Sequence, residues 1–263
     1  MFDRPLAIVS GAARGIGRAI AVKLAHEGYD LVLSDLLEPE LEECASQARE
    51  SGGGVVSSVC DATKPDDVDA LYAKVDALNQ APAVLVNNAF AERRAYLGEI
   101  EEDAWNFTLN STLTTAFLMC NRSLPRMCAA GGGAIVNVAS IHAFGARETF
   151  GPYEAAKAGL VSLTRTIAVE YGNRGVRANA VCPGLVITER NQARWLDRPD
   201  DFSAILRAYP MGRAGTPEEI ANVVSFVAGG AASFVNGAII TVDGGSAAML
   251  AESAALGPDR IAE

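Results

Sequence analysis

The stretch PLAIVSGAARGIGRAIAVKLAH, residues 5–26, decides the fold. A short, nearly continuous apolar run ends at Ser10, glycines follow at 11, 15 and 17, and a helical pattern starts at Gly15. An unbroken apolar run of this length reads as a strand covered on both faces. Glycines between a first strand and a first helix let the backbone turn tightly and come close to a pyrophosphate, whose charge is favoured at the helix N-terminus. The spacing differs from the common G-x-G-x-x-G, so the position of the glycines carries the inference rather than their number. An ordinary NTP is set aside, because Arg18 and Ala19 follow the last glycine where an NTP loop needs Lys-Ser/Thr.

Outward from that unit the same alternation repeats. Strands are expected at 5–10, 30–34, 54–59, 83–86, 133–138, 176–181 and 238–242, and helices at 15–28, 38–51, 64–79, 103–129, 153–173 and 217–228. Seven strands alternating with six helices predict an α/β fold, a doubly wound parallel sheet with helices on both faces. No composition break, repeat or linker divides residues 1–263, so a single domain is expected. Residues 186–214 interrupt the alternation and are too long for a simple connection. Following the sixth strand directly, they read as a substrate lid.

The chain has 263 residues, 49% of them hydrophobic and 21% charged, which describes a folded protein rather than a disordered one. A net charge of −10 argues against nucleic acid or an anionic membrane surface as partner. The five cysteines (Cys44, Cys60, Cys120, Cys128 and Cys182) form no CxxC pair, and the only histidines are His26 and His142. Neither a disulfide framework nor a metal site is therefore expected. Without an apolar signal core after basic residues, the cytoplasm is the expected location. Two uncharged windows, 127–146 and 221–242, are long enough to span a bilayer, but their glycines and polar residues read as helix–turn–strand junctions.

At the dinucleotide end, Asp35 closes the second strand about twenty positions after the glycines, where an acidic residue accepts hydrogen bonds from adenine ribose hydroxyls. The same carboxylate repels the extra phosphate of NADP, and Leu36 offers no cation to rescue it, so NAD is expected. Arg14 is the opposing signal that keeps NADP open. At the chemical end, Tyr153 and Lys157 form Y-x-x-x-K on one face of a helix. Six tyrosines and four lysines in this length give roughly 0.09 such pairs by chance. Ser140 ends the fifth strand at the ligand-binding edge, and Asn110 lies within the long fourth helix. Taken singly, Ser140 also reads as a cap and Asn110 as an ordinary helix residue.

Together these residues make the chain resemble the classical short-chain dehydrogenase/reductase family over about residues 5–246. The resemblance rests on SGAARGIG (10–17), Asp61, NNA (87–89), Asn110, Ser140, Tyr153 with Lys157, Pro183-Gly184 with Thr188, and Asp243-Gly244-Gly245. It implies a Rossmann fold, a homotetramer or homodimer, and a catalytic tetrad of Asn110, Ser140, Tyr153 and Lys157. It further implies adenine contacts from Asp61 and Ala62, and contacts to the dinucleotide backbone from Ile16 and Asn88, beside Ala89. Val186 and Thr188, after Pro183 and Gly184, would face the carboxamide side. Two positions depart from the pattern. Ser10 replaces threonine and keeps the hydroxyl. Phe90 replaces the glycine of NNAG, where its ring is expected to crowd the cofactor or narrow the pocket.

The implied chemistry is hydride transfer between NAD and an alcohol/ketone pair. A phenol near pKa 10 is a poor base at neutral pH, and an ammonium about 5 Å away is expected to lower it by about two units at an effective dielectric of about 20. Ser140 would donate to the substrate oxygen. Lys157 would also hold the nicotinamide ribose, and Asn110 a water that relays the proton. His142, Phe150 and Trp195 are expected to line the substrate pocket. The competing reading is a non-catalytic dinucleotide-binding or sensor protein on the same fold.

Overall fold

The computed structural model describes residues 2–250. Seven parallel strands form one sheet in the order β3-β2-β1-β4-β5-β6-β7. They are β1 (Leu6–Ser10), β2 (Asp30–Asp35), β3 (Val55–Val59), β4 (Pro82–Asn87), β5 (Gly133–Val138), β6 (Val176–Pro183) and β7 (Ile239–Val242). The expected strands coincide with these to within two residues at each end.

The long helices are α1 (Gly15–His26), α2 (Glu38–Arg49), α3 (Pro65–Ala77), α4 (Glu102–Leu109), α5 (Thr115–Ala129), α6 (Gly151–Tyr171) and, after two short ones, α9 (Pro217–Ala228). One buried cluster joins β1, β2 and β4 to α1, α2 and α9, including Val9, Leu24, Leu33, Leu41 and Val224. A second joins the other face to α3, α5 and α6, including Ile8, Leu71, Tyr72, Met119 and Ile167. This is a three-layer α/β/α sandwich held by apolar burial on both faces, which is why the strands carry unbroken apolar runs rather than alternating ones. The order in which strands are added reverses between β1 and β4, and the crevice at their carboxyl ends is the switch point where such sheets take ligands.

One expectation needs correction. The single helix over 103–129 is α4 and α5 joined by a π-helical turn, Asn110–Thr114. The excursion after β6 is partly helical, with α7 (Gln192–Leu196) and α8 (Pro199–Leu206) packed through Trp195 and Phe202, whose ring centroids are 5.5 Å apart. Its base is closed by a parallel bridge between Val186 and Gly215, so the excursion leaves and rejoins the body at nearly one point. The windows 127–146 and 221–242 are indeed helix–strand junctions, and among the described residues no helix is long and apolar enough to cross a membrane. The tail, expected either to pack in an oligomer interface or to trail in solvent, lies outside the described residues from 251 onward.

Candidate active site

The glycine turn between β1 and α1 is bare backbone because nothing else fits. A Cβ at Gly17 would stand 1.9 Å from the Gly11 carbonyl oxygen, and one at Gly11 would stand 2.8 Å from the Ala89 Cα. Gly11 and Gly15 also have φ of +65° and +56°, a left-handed conformation that other residues adopt at a cost. The Ser10 hydroxyl accepts from Asn88 N at 3.1 Å and Ala89 N at 3.3 Å, and Asn88 Nδ2 donates to Gly11 O at 2.9 Å. The hydroxyl retained at position 10 thus stitches β1 to β4 across the switch point.

Asp35 takes Ala13 N at 3.0 Å on one oxygen, and Leu36 N at 2.7 Å and Leu37 N at 3.1 Å on the other. It is therefore fixed against the glycine turn, beside a Leu36 side chain that is 62% exposed. Arg14 is exposed at the N-cap of α1. Ala62 is buried after β3, and Asp61 accepts from both the backbone and the hydroxyl of Thr63. Ile16 lies in the first turn of α1. Beyond β6, Pro183 and Gly184 run beside β7, a Cβ at Gly184 meeting Asp243 at 2.9 Å. Val186 sits in the bridge to Gly215, and Thr188 Cγ2 would lie 3.1 Å from a Cβ at Gly15. Glu189 Oε2 accepts from Gly15 N at 3.0 Å, tying the excursion to the glycine turn.

Across the crevice, Tyr153 and Lys157 project from the first two turns of α6 on one face. Lys157 is 2% exposed and donates to Val138 O, the last carbonyl of β5, at 2.7 Å. Two residues further on, Ser140 turns its buried hydroxyl to His142 N, 3.2 Å away, and lies close enough to the Tyr153 hydroxyl to pull its pKa down. The Tyr153 ring is walled by Phe90 (5.8 Å between centroids), His142 (5.7 Å) and Phe150 (6.2 Å). Phe90 thus stands against the Tyr153 ring, with Lys157 Nζ 5.1 Å from its own centroid. His142 stacks on Phe150 and bonds Glu154 Oε1 at 3.0 Å.

The electrostatics differ from the expectation. Burial pushes the Tyr153 hydroxyl up to about 12, against the smaller opposite pull of Ser140. Burial likewise brings Lys157 down to about 8. The cost of holding both groups away from water outweighs the attraction between a phenolate and an ammonium here.

Ser140, Tyr153, Lys157, His142 and Phe150 are brought together; Asn110 and Trp195 make their hydrogen bond and ring contact elsewhere, in the π turn and the excursion. Asn110 is exposed, and its amide oxygen accepts from Thr114 Oγ1 at 3.2 Å. The π turn buries Ser111 and Thr112 instead, and Thr112, 1% exposed, donates to Ala91 O at 3.2 Å next to Phe90. Trp195 packs on Phe202 in the excursion, making no ring contact with Tyr153. Two further charged residues reach the aromatic wall. Arg94 lies 3.8 Å over the Phe150 ring and pairs with Glu92, and Arg190 lies 4.7 Å over Phe90. Both come from loops whose course only the fold fixes.

Residues 11–247 match the family model described as enoyl-(acyl carrier protein) reductase. The cis-4-hydroxycyclohexanecarboxylate dehydrogenase of Sinomonas cyclohexanicum is 40% identical, over 94% of this chain and 98% of that one. The human dehydrogenase/reductase SDR family member 4 is 32% identical, over 93% of this chain and 88% of that one. Among solved structures, a 7α-hydroxysteroid dehydrogenase complexed with NADH and 7-oxo glycochenodeoxycholic acid superposes with a TM-score of 0.86 at 27% identity, covering 93% of this chain and 94% of that one.

Proposed function

The chain belongs to the classical short-chain dehydrogenase/reductase family, and from that premise we propose that it interconverts a secondary alcohol and its ketone with NAD, using Tyr153 as the acid/base group. As a member it is an oxidoreductase that uses a nicotinamide dinucleotide, which when bound supplies or accepts the hydride. The observation that carries the reading is the grouping of buried Ser140 and Lys157 with half-buried Tyr153 at the carboxyl edge of β5.

In this reading the glycine turn (Gly11, Arg14, Gly15, Ile16, Gly17) lies against the pyrophosphate. Asp35 and Leu36 face the adenine ribose, Asp61 and Ala62 the adenine, and Asn88 and Ala89 the central part. Lys157, Pro183, Gly184, Val186 and Thr188 close on the nicotinamide half. The bare backbone at 11 and 17 supports this assignment, since a phosphate needs close approach to N–H groups. Asp35, fixed beside exposed Leu36, supports NAD over NADP. Arg14, exposed at the start of α1, is the opposing signal.

Tyr153, a neutral phenol throughout the ordinary pH range, is set to donate its proton to a ketone oxygen, and Ser140 to hydrogen-bond the same oxygen as charge develops there. In the oxidative direction the phenol must first lose its proton, which Lys157 favours only while it is an ammonium, below about pH 8. His142 and Phe150 wall the substrate side, and residues 186–214, with Trp195, cover it as a lid hinged at the Val186–Gly215 bridge. Asn110 fits the proton relay least, being exposed. Thr112 is the buried polar side chain of the same turn, and we assign it a positioning role on the loop that carries Phe90.

We also place the protein in the cytoplasm as a homotetramer or homodimer. Five free cysteines suit a reducing compartment, and Phe117 and Val169, exposed on α5 and α6, suit a subunit interface. Light scattering that found a monomer would remove the oligomer.

The test is turnover of a broad secondary alcohol and ketone panel with NAD and with NADP, read by cofactor fluorescence. Turnover with NAD preferred is expected, and Asp35→Ala with Leu36→Arg should shift kcat/KM toward NADP by roughly tenfold or more, the scale of one charge-assisted hydrogen bond. Cofactor binding without turnover across the panel would establish the sensor reading instead.

A further inference from the structure

The excursion carries a group of cations that the hydride chemistry does not use. Arg147, Arg194 and Arg198 line a single cavity of about 510 Å³, whose remaining wall includes Trp195, Ala204 and Ile205. One carboxylate shares the cavity, Asp201, 3.8 Å from Arg198. Within the 4.0 Å limit of an ion pair, Arg147 and Arg194 have no carboxylate partner among the described residues, unlike Arg94, which Glu92 neutralises. Three guanidinium groups against one carboxylate, in a chain with net charge −10, leave a local positive potential that an anion would offset.

The cavity adjoins the reacting centre. The Arg147 guanidinium lies 5.2 Å from the Phe150 ring centroid, and that ring lies 6.2 Å from the Tyr153 ring. Arg147 is also fixed to α6, its backbone N–H donating to Glu154 Oε1 at 2.6 Å, one residue beyond Tyr153. One aromatic ring therefore separates the phenol from Arg147, which shares its cavity with Arg194 and Arg198. The indole ring of Trp195 forms part of the same wall. Planar guanidinium groups match a carboxylate's two oxygens, and Ala204 and Ile205 offer apolar surface to a carbon frame.

We propose that the substrate is a hydroxycarboxylate, a secondary alcohol whose distant carboxylate is held by Arg147 and Arg194 while its carbinol faces Tyr153. The proposal rests on the reading of Tyr153 as the acid/base group and adds the substrate's charge. Anion binding at a distance from the reacting carbon acts in ground and transition states alike, so it lowers KM and leaves kcat nearly unchanged.

The experiment compares kcat/KM for 3-hydroxybutyrate, 5-hydroxyhexanoate and 7-hydroxyoctanoate with their methyl esters and with the phosphate monoester of 1,5-hexanediol. At least one carboxylate should exceed its ester by about tenfold or more, the scale of a charge-assisted hydrogen bond. The ratio should fall toward unity in Arg147→Ala and Arg194→Ala, be partly kept in Arg194→Lys, and shrink with added salt. No carboxylate preference, a preference unchanged in both alanine variants, or a preference confined to the phosphate ester would overturn it. Turnover of the esters without that preference refutes this proposal alone, whereas no turnover of any alcohol refutes the Tyr153 reading. Calorimetry of the same carboxylates with the Tyr153→Phe protein then still decides the proposal, because binding that is lost on adding Arg194→Ala supports it and absence of binding rejects it.

Discussion

The glycine turn and the excursion over residues 186–214 lie side by side, joined by Glu189 on Gly15 N, yet they are built from different materials. The turn is backbone packed on backbone, with Ser10, Asn88 and Asp35 spending their hydrogen bonds on main-chain groups. The excursion is two short helices with no buried residue in either, held to the body by a few bonds and lined by arginines. A site made of backbone tolerates almost no change and accepts one ligand shape. A site made of exposed long side chains can change its charge and reach while the fold stands still. That division assigns the cofactor to the first region and substrate choice to the second.

The strongest way to break this contrast is a matched pair of glycine substitutions. Gly17→Ala drives a Cβ to 1.9 Å from Gly11 O and should cost roughly 3 kcal/mol or abolish folding, in line with overpacking against rigid backbone. Gly212→Ala, with φ of +67° but no atom within 4 Å, should cost about 1 kcal/mol. Urea unfolding of both proteins checks this, and equal losses would erase the distinction.

A second contrast sets chemistry against stability inside the rigid region. Lys157 has its folded value lowered by burial from 10.5 to about 8, so the folded state resists the ammonium. The penalty is full below about pH 8 and fades as pH rises toward 10.5. Lys157→Met should therefore stabilise the protein by roughly 2–4 kcal/mol at pH 7, by the conversion of a pKa shift to free energy, and by much less at pH 10, while removing activity. A variant less stable than wild type at both pH values would show that the Val138 bond outweighs desolvation. The smallest effects separate the two polar residues of the π turn. Thr112→Val should lower kcat by roughly tenfold, about one hydrogen bond, whereas Asn110→Ala should leave it within about twofold, as for a surface substitution. The reverse order would restore Asn110 to the relay.

The sheet was legible because buried parallel strands cannot hide; residues 6–9, 31–33 and 134–136 are apolar without a break because both faces of the sheet are covered. The π turn was not legible, because helical periodicity is blind to one extra residue per turn. Its signal is the run Thr108-Leu109-Asn110-Ser111-Thr112-Leu113-Thr114-Thr115. There the hydroxyls of Thr108, Ser111 and Thr115 bond carbonyls four residues back and compete with the regular ladder. That insertion rotates Thr112, not Asn110, toward the Phe90 loop. The direction of the Tyr153 shift was equally hidden. It depends on Phe90, His142 and Phe150 arriving from separate loops to exclude water, which no local spacing encodes.

The account turns on the proton held by one phenol, and Tyr153→Phe tests it most directly, because the substitution removes a single oxygen from a wall of rings that otherwise stays packed. Measured with NADH and an accepted ketone, the variant should bind the cofactor within about twofold of wild type, as expected where no cofactor contact is lost. Turnover should fall by roughly a thousandfold, within the range of general acid catalysis. Turnover within a few-fold of wild type, with the cofactor bound, would contradict it.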